Sequence, residues 1–272
     1  MPELPEVETT RRGLEPLLVG RRILAAIVRN RALRQPITRG LSQRIAGTTV
    51  RSLTRRGKYL LLDCGPGTLI VHLGMSGRLW VVKDGARPTT HDHFDLVLDN
   101  DTVVRLRDPR RFGLVLWRTG DPLAHALLAS IGPEPLSAGF DGAALHAAMR
   151  NRATPIKHVL MDSHVVAGVG NIYANEALFR AGIDPRTPAG KLSLERCVTL
   201  VQRIRETLEL AINAGGSSLR DYVGSDGMAG NYQSQFLVYD RAGEPCPSCH
   251  AAVKEIRQGQ RSTYYCPKCQ KA

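Results

Sequence analysis

The first residues of the chain combine an amine that could become a nucleophile with carboxylic acids that could act beside it. Pro2 follows Met1, and Glu3 and Glu6 are three residues apart. Residues with that spacing share one face of a helix, and carboxylates are favoured near the helix N-terminus. We expect Met1 to be removed, which would leave Pro2 as a secondary amine able to condense with an aldehyde. This arrangement suits covalent catalysis; the alternative is a plain Pro/Glu helix start, with Pro2 in the first helical turn.

The C-terminal part carries four cysteines with the spacing of a metal site. Cys246 and Cys249 form one Cys-x2-Cys pair, and Cys266 and Cys269 form a second pair 16 residues later. Four thiolates in this pattern close tetrahedrally around one Zn²⁺, and a four-cysteine site leaves no open position for catalysis. The spacing therefore predicts a structural zinc finger built on a hairpin, in preference to a disulfide pair or a redox site.

Positive charge indicates a polyanionic partner. The net charge is +12, and residues 11–60 hold 12 Arg, one Lys and one acidic residue. Arginine's planar fork matches phosphate, so nucleic acid is the favoured partner over a membrane surface. The sequence contains no apolar run long enough to span a membrane and no exported leader, so we expect a cytoplasmic protein.

Periodicity predicts one helix followed by a β-rich region. Leu4, Val7, Leu14 and Leu18 form one apolar stripe, and Gly20 ends the helix. Eight β-rich runs follow: 23–28, 49–53, 58–63, 68–73, 78–82, 94–98, 103–106 and 113–117. Short strands at this spacing favour an antiparallel sandwich or barrel.

A second, helical region begins after a Pro/Gly-rich break at residues 130–142. Helical signals cover 142–151, 155–161, 171–181 and 194–214, with a short helical piece reaching residue 223 and a strand at 236–239. The predicted domains are a β-sandwich catalytic domain at 1–130, a linker at 131–141, a helical DNA-binding domain at 142–235 and a zinc finger at 236–272. The polar, glycine-rich loop at 224–234 has a length typical of functional loops.

Two predicted turns carry residues suited to a DNA duplex. Arg110, Arg111 and Phe112 lie between two strands, and Met75 lies at another turn. An aromatic ring can wedge between bases while an arginine binds a base edge. The alternative places Phe112 in the core and the arginines on a solvated surface. Lys58 follows a basic run at the start of a predicted strand. Two interpretations of Lys58 remain, a phosphate contact and a solvated surface lysine.

These motifs together resemble bacterial formamidopyrimidine-DNA glycosylase, the 8-oxoguanine glycosylase/AP lyase. The resemblance spans the chain, through the segments 2–8, 56–60, 72–77, 108–113, 160–162 and 166–174 and the four-cysteine finger. It implies an α+β fold, with an N-terminal antiparallel β-sandwich carrying an N-terminal helix, then a helix–two-turn–helix domain ending in a β-hairpin zinc finger. The implied partner of this monomer is duplex DNA with oxidised purines or abasic sites in the bacterial nucleoid.

The resemblance also implies roles for individual residues. The Pro2 amine attacks C1′ of a flipped nucleotide, Glu3 is the general acid/base, Glu6 supports the site, and Lys58 contacts a phosphate or the lesion. Met75, Arg110 and Phe112 fill the void left by the base, and the 224–234 loop caps the lesion. The implied DNA contacts are His91, Arg110, Arg111, Lys157, Asn171, Tyr239 and Arg261. The chain departs from the family pattern at Asn231-Tyr232 and at Asp240, which bears on lesion capping.

Two other functions compete with this interpretation. An endonuclease VIII-type glycosylase shares the Pro2/Glu3 chemistry but prefers oxidised pyrimidines; Leu4 and the Met75, Arg110 and Phe112 set favour the purine enzyme. A non-catalytic zinc-finger DNA-binding protein would bind DNA without forming a covalent adduct.

Overall fold

The structure is a computed structural model that describes residues 1–82, 86–218 and 230–272. It contains two compact units, one formed by residues 1–129 with 214–231 and the other by 130–213 with 232–272. Within the described ranges, no helix is both long enough and apolar enough to cross a membrane.

The first unit is a β-sandwich with a helix at its start. Helix α1 (Leu4–Leu18) precedes two antiparallel four-stranded sheets, and the short helices α2 (Leu41–Ile45) and α3 (Ala126–Ala129) lie in connecting segments. One sheet has the order β1-β6-β7-β5 and the other β2-β3-β4-β8. The strands are β1 (Ile23–Val28), β2 (Ser52–Arg56), β3 (Tyr59–Asp63), β4 (Thr68–His72), β5 (Arg78–Val82), β6 (Asp92–Leu98), β7 (Val103–Arg107) and β8 (Leu114–Arg118).

Alternation along the strands builds one shared core. Leu60 and Leu62 of β3 and Phe94 and Leu96 of β6 belong to a single buried cluster, although β3 and β6 lie in different sheets. Inward-facing residues of both sheets thus pack together, as expected for a sandwich. The predicted sandwich is confirmed.

Helix α1 buries the predicted apolar stripe and ends at Leu18, where Gly20 adopts a left-handed φ of 82°. Its start differs from the prediction. Glu3 is the N-cap and Pro5 is the proline of the first turn, so Pro2 precedes the helix. The Glu3 backbone is extended, which separates Pro2 from the helical hydrogen-bond ladder.

The second unit is helical and ends in a hairpin. Its helices are α4 (Gly142–Met149), α5 (Ile156–Met161), α6 (Asn171–Arg180) and α7 (Leu194–Asn213), close to the predicted bounds. Strands β9 (Lys254–Gln258) and β10 (Arg261–Tyr265) pair antiparallel, as predicted for the finger.

The predicted strand at 236–239 is wrong. A 3-10 helix covers Tyr232–Gln235, and the N–H groups of residues 237–239 donate to the side chain of Glu176 instead of to a neighbouring strand. The predicted helical piece reaching residue 223 and most of the 224–234 loop lie outside the described residues. Tyr232, at the end of that loop, is fully buried and packs against Tyr173.

Candidate active site and nucleic-acid interface

Two buried carboxylates lie close to Pro2 at the start of α1, one at the N-cap and one in the first turn. Glu3 and Glu6 are each 2% exposed, and Pro2 is also buried. The Glu3 N–H donates to Glu6 Oε2 at 2.8 Å, and the Ser217 N–H donates to Glu6 Oε1 at 2.8 Å. One carboxylate therefore fixes the backbone next to Pro2 and a segment more than 200 residues later in the chain. The predicted supporting position of Glu6 has this geometric basis.

Lys58 lies in the turn between β2 and β3 and is partly buried. Burial, followed by the charges of Lys58 and Arg34, lowers the pKa of His72 to about 4. His72 is consequently neutral near pH 7, and its Nδ1 accepts the Gly74 N–H at 2.9 Å. The neutral ring thus holds the turn that carries Met75.

The predicted void-filling residues lie on two turns that touch. Arg110 and Phe112 are exposed, and the Arg110 guanidinium lies 5.0 Å from the centre of the Phe112 ring. Gly74 has a φ of 66°, and a Cβ there would lie 2.5 Å from the Phe112 carbonyl carbon. The turn that carries Met75 therefore packs against the backbone of Phe112, and only glycine fits at the contact. The alternative that buries Phe112 in the core is wrong, because its side chain is 44% exposed.

Many arginines of the basic region have partners inside the fold. Glu8 is buried and pairs with Arg11, Arg12 and Arg55 at 2.9–3.1 Å, and these contacts lower its pKa against the effect of burial. Arg29 pairs with buried Asp95. The local charge excess therefore overstates the number of arginines available to phosphate.

Lys157 is fully buried in the second unit. Its Nζ donates to Ser262 O at 2.8 Å and to Thr263 Oγ1 at 2.6 Å. Asn171, at the start of α6, donates its Nδ2 to the same Ser262 carbonyl at 3.1 Å. Arg261, the first residue of β10, is exposed. Lys157 and Asn171 thus anchor the strand that presents Arg261, and their phosphate contacts stay predictions.

Tyr239 depends on a residue that sequence reasoning missed. Glu176 of α6 is fully buried, and its carboxylate accepts the N–H groups of Leu237, Val238 and Tyr239 at 2.8–3.2 Å. Burial raises the pKa of Glu176, and the backbone N–H groups act against that rise. The available signal is an acidic residue in a predicted helix whose other residues are mostly apolar, because an acidic residue is rarely buried without partners.

Two further residues escaped the sequence interpretation. Asp108 is fully buried and accepts the Gly113 N–H at 2.7 Å, and Ser217 binds Glu6. Asp108 begins the loop predicted between two strands, whereas nothing in the sequence points to Ser217. His91 precedes β6 and is exposed, and Arg111 is exposed with a φ of 57°.

The four C-terminal cysteines are gathered at metal-binding distance. Their Sγ atoms all lie within 4.8 Å of one another, with Cys249 and Cys266 at 3.4 Å and Cys246 and Cys269 at 3.8 Å. A tetrahedral site with Zn–S bonds of about 2.3 Å needs sulfur atoms about 3.8 Å apart. All four are free thiols, so the donor set fits one structural Zn²⁺, as the spacing predicted.

Three family models match the chain. They are the formamidopyrimidine-DNA glycosylase N-terminal domain at residues 1–115, its H2TH domain at 131–223, and a zinc finger found in FPG and IleRS at 243–272. A formamidopyrimidine-DNA glycosylase of Cupriavidus pinatubonensis is 55% identical, over 99% of this chain and 100% of that protein.

Solved structures agree with these matches. The MutM (Fpg) protein of Thermus thermophilus is 39% identical with a TM-score of 0.89, over 99% of this chain and 98% of that one. Lactococcus lactis Fpg in complex with abasic-site DNA is 34% identical with a TM-score of 0.91, over 99% of this chain and 100% of that one. The chain belongs to the formamidopyrimidine-DNA glycosylase family of enzymes.

Proposed function

We propose that this chain removes oxidised purines, chiefly 8-oxoguanine and formamidopyrimidines, from duplex DNA and then cleaves the abasic strand. The observation that carries the proposal is Pro2 directly before buried Glu3, with buried Glu6 in the first turn of the following helix, in a chain of this family. The proposed domains are the catalytic sandwich at 1–130, a linker at 131–141, the helical DNA-binding domain at 142–235 and the zinc finger at 236–272. The site of action is DNA of the bacterial cytoplasm, and the enzyme acts as a monomer.

The proposed reaction begins once Met1 is removed. A terminal amine has an unperturbed pKa of about 8, so part of the Pro2 amine is neutral near pH 7. Its lone pair attacks C1′ of the flipped nucleotide and the N-glycosidic bond breaks; the proton lost from the attacking nitrogen leaves with the base. Glu3 delivers a proton to the sugar ring oxygen; the ring opens, and the amine and C1′ form a charged iminium.

The iminium then drives strand cleavage. It withdraws electrons from C2′, so a C2′ proton is lost and the 3′ phosphate leaves by β-elimination. A second elimination expels the 5′ phosphate, and water hydrolyses the Schiff base to regenerate the Pro2 amine. Glu6 holds the backbone next to the reacting amine, which is supported by its bonds to the N–H groups of Glu3 and Ser217.

DNA binding in this proposal combines phosphate contacts with a plug for the extruded base. Extruding a base costs a few kcal/mol, and inserted side chains offset part of that cost. Met75, Arg110 and Phe112 form the plug, and Arg110 binds the estranged base. The proposed DNA contacts are Lys58, His91, Arg111, Lys157, Asn171, Tyr239 and Arg261. Zinc, when bound, holds the hairpin that presents Arg261.

Borohydride trapping tests the proposal. One preparation carries an N-terminal tag on Pro2; the matched control is the same protein after cleavage of the tag to expose the Pro2 amine. We expect the control alone to form a covalent adduct with 8-oxoguanine DNA, while both bind DNA with similar affinity. Equal trapping by the tagged protein would refute the role of Pro2, and no trapping by either would point to a non-catalytic DNA-binding protein.

Substrate choice is tested separately with the exposed-amine protein. Excision of 8-oxoguanine opposite cytosine should be faster than excision of thymine glycol from the same sequence. The reverse preference would identify an endonuclease VIII-type activity.

A further inference from the structure

Asp108 lies where the two turns of the plug meet. It follows β7, its side chain is fully buried, and its Oδ2 accepts the Gly113 N–H at 2.7 Å. Its Oδ1 accepts the Ser76 hydroxyl at 3.2 Å. Since Ser76 follows Met75 and Gly113 follows Phe112, one carboxylate connects both turns.

The backbone of Asp108 also forms hydrogen bonds with a third segment, residues 91–93. Its N–H donates to the His91 carbonyl at 3.0 Å, and its own carbonyl accepts the Arg111 N–H at 3.1 Å. His93 Nε2 lies 2.9 Å from the same carbonyl. A carbonyl oxygen only accepts, so this His93 nitrogen carries the proton.

The packing around Asp108 leaves the turns little room to move. A Cβ on Gly113 would lie 2.9 Å from Asp108 Oδ2 and 2.9 Å from the His72 carbonyl oxygen. Arg111 holds a left-handed φ of 57°, a conformation that non-glycine residues adopt only when their surroundings impose it. The bond from Arg111 N–H to Asp108 O is one of the contacts that hold this turn.

We propose that Asp108, acting with Ser76, is a positioning residue that pins the Met75 turn and the Arg110–Phe112 turn in one rigid arrangement before DNA binds. This inference rests on the proposed function, because it assigns those turns to base extrusion. Side chains ordered in advance lose less conformational freedom on insertion, so a pinned plug extrudes a base faster than a loose one.

The test compares two reactions that differ in their need for extrusion. Excision of 8-oxoguanine paired with cytosine requires a base to be displaced, whereas cleavage at a preformed abasic site has no base to displace. We expect Asp108→Asn and Ser76→Ala to slow single-turnover excision by about tenfold, the factor expected for one lost hydrogen bond. Cleavage at the abasic site should stay within about twofold of the wild type.

The matched control is Asp63→Asn. Asp63 Oδ1 also accepts a backbone N–H, that of Gly65 at 2.8 Å, but it does so at the turn between β3 and β4. This variant should leave both reactions unchanged. Ser76→Ala removes a single hydroxyl, so it still tests the proposed pinning of the two turns if Asp108→Asn does not fold.

Two outcomes overturn the inference: equal slowing of both reactions, which indicates general damage to the fold, or an unchanged excision rate in both variants. A wild type without excision or trapping instead removes the proposed function. In that case, amide hydrogen exchange of residues 110–113 in the free protein still tests whether Asp108 holds the turn, because both variants should exchange faster there than Asp63→Asn. Exchange of these amides at the wild-type rate in both variants would contradict the proposed pinning.

Discussion

Replacing Glu176 by alanine should loosen the segment that carries Tyr239 without disturbing the rest of the second unit. The Glu176 carboxylate is the hydrogen-bond acceptor for the N–H groups of Leu237, Val238 and Tyr239. An alanine side chain offers no acceptor, so all three N–H groups lose the Glu176 acceptor. A glutamine keeps one carbonyl oxygen and should retain most of the bonding.

The size of the effect follows from the burial of these groups. The hydrogen bond to Val238 is buried, and an orphaned buried N–H costs about 1–3 kcal/mol. The other two are partly buried, so water replaces part of their bonding. Removing a buried carboxylate also relieves its desolvation, which acts in the opposite direction. We expect a net local destabilisation of about 2–4 kcal/mol for Glu176→Ala and about 1 kcal/mol or less for Glu176→Gln.

Hydrogen exchange measures this local opening directly. A loss of about 2–4 kcal/mol corresponds to roughly 30- to 700-fold faster exchange of the amides of residues 237–239. Glu209→Ala, which removes an exposed glutamate from α7, is the matched control and should leave that exchange unchanged. Exchange in Glu176→Ala at the wild-type rate would refute the assignment of Glu176 as the anchor.

The pH dependence gives an independent check on Glu176. Its folded-state pKa is raised, so the folded carboxyl binds its proton more tightly than the unfolded one. Its contribution to the free energy of unfolding is therefore full below the unfolded pKa of about 4.3 and falls as pH rises through the folded value. Glu176→Gln should remove this slope, and an identical slope in both proteins would contradict the assignment.

Three other predictions concern single sites. His72 has a pKa lowered to about 4, so its contribution to the free energy of unfolding is present above about pH 6.5 and is lost as pH falls toward 4. His72→Gln should therefore flatten the decline in Tm over that pH range. An equal decline in the variant and the wild type would count against this role of His72. Chelation of zinc, or Cys249→Ser, should unfold the hairpin β9–β10 and reduce the salt slope of DNA affinity by about one phosphate contact, whereas a protected hairpin in metal-free protein would disprove the coupling. Lys157→Met should weaken β10 by about 2–4 kcal/mol, visible as faster exchange of residues 261–265; unchanged exchange there would show that its bonds to Ser262 and Thr263 contribute little.

Local patterns in the sequence predict most of the fold. The eight strands of the sandwich follow from short β-rich runs separated by turn residues, and the finger follows from cysteine spacing. The second strand begins three residues later than its β-rich run predicts, at Ser52–Arg56 instead of 49–53. Thr49 forms an isolated bridge with Arg22 and Val50 donates its N–H to Arg21, so the apolar signal there belongs to a different contact.

Contacts between distant residues explain what the sequence could not predict. The segment 236–239 has strand-like composition, yet the N–H groups of residues 237–239 donate to Glu176, which lies about 60 residues earlier. Lys157 resembles any solvated lysine in the sequence, and its burial depends on the Ser262 carbonyl and the Thr263 hydroxyl. Local periodicity predicts neither the contact of Glu176 with residues 237–239 nor that of Lys157 with β10, because only tertiary packing brings these distant residues together.

The hydrogen bond between Glu6 and Ser217 can form only late in the synthesis of the chain. These residues are 211 positions apart, and both belong to the first compact unit. A domain folds as it leaves the ribosome, but a contact of such high sequence separation must wait for its later partner. The nascent sandwich therefore emerges with the Glu6 carboxylate lacking this donor until all four helices α4–α7 have been made. If translation stopped before residue 217, the sandwich could fold, but the Glu6 carboxylate next to Pro2 would lack its Ser217 donor.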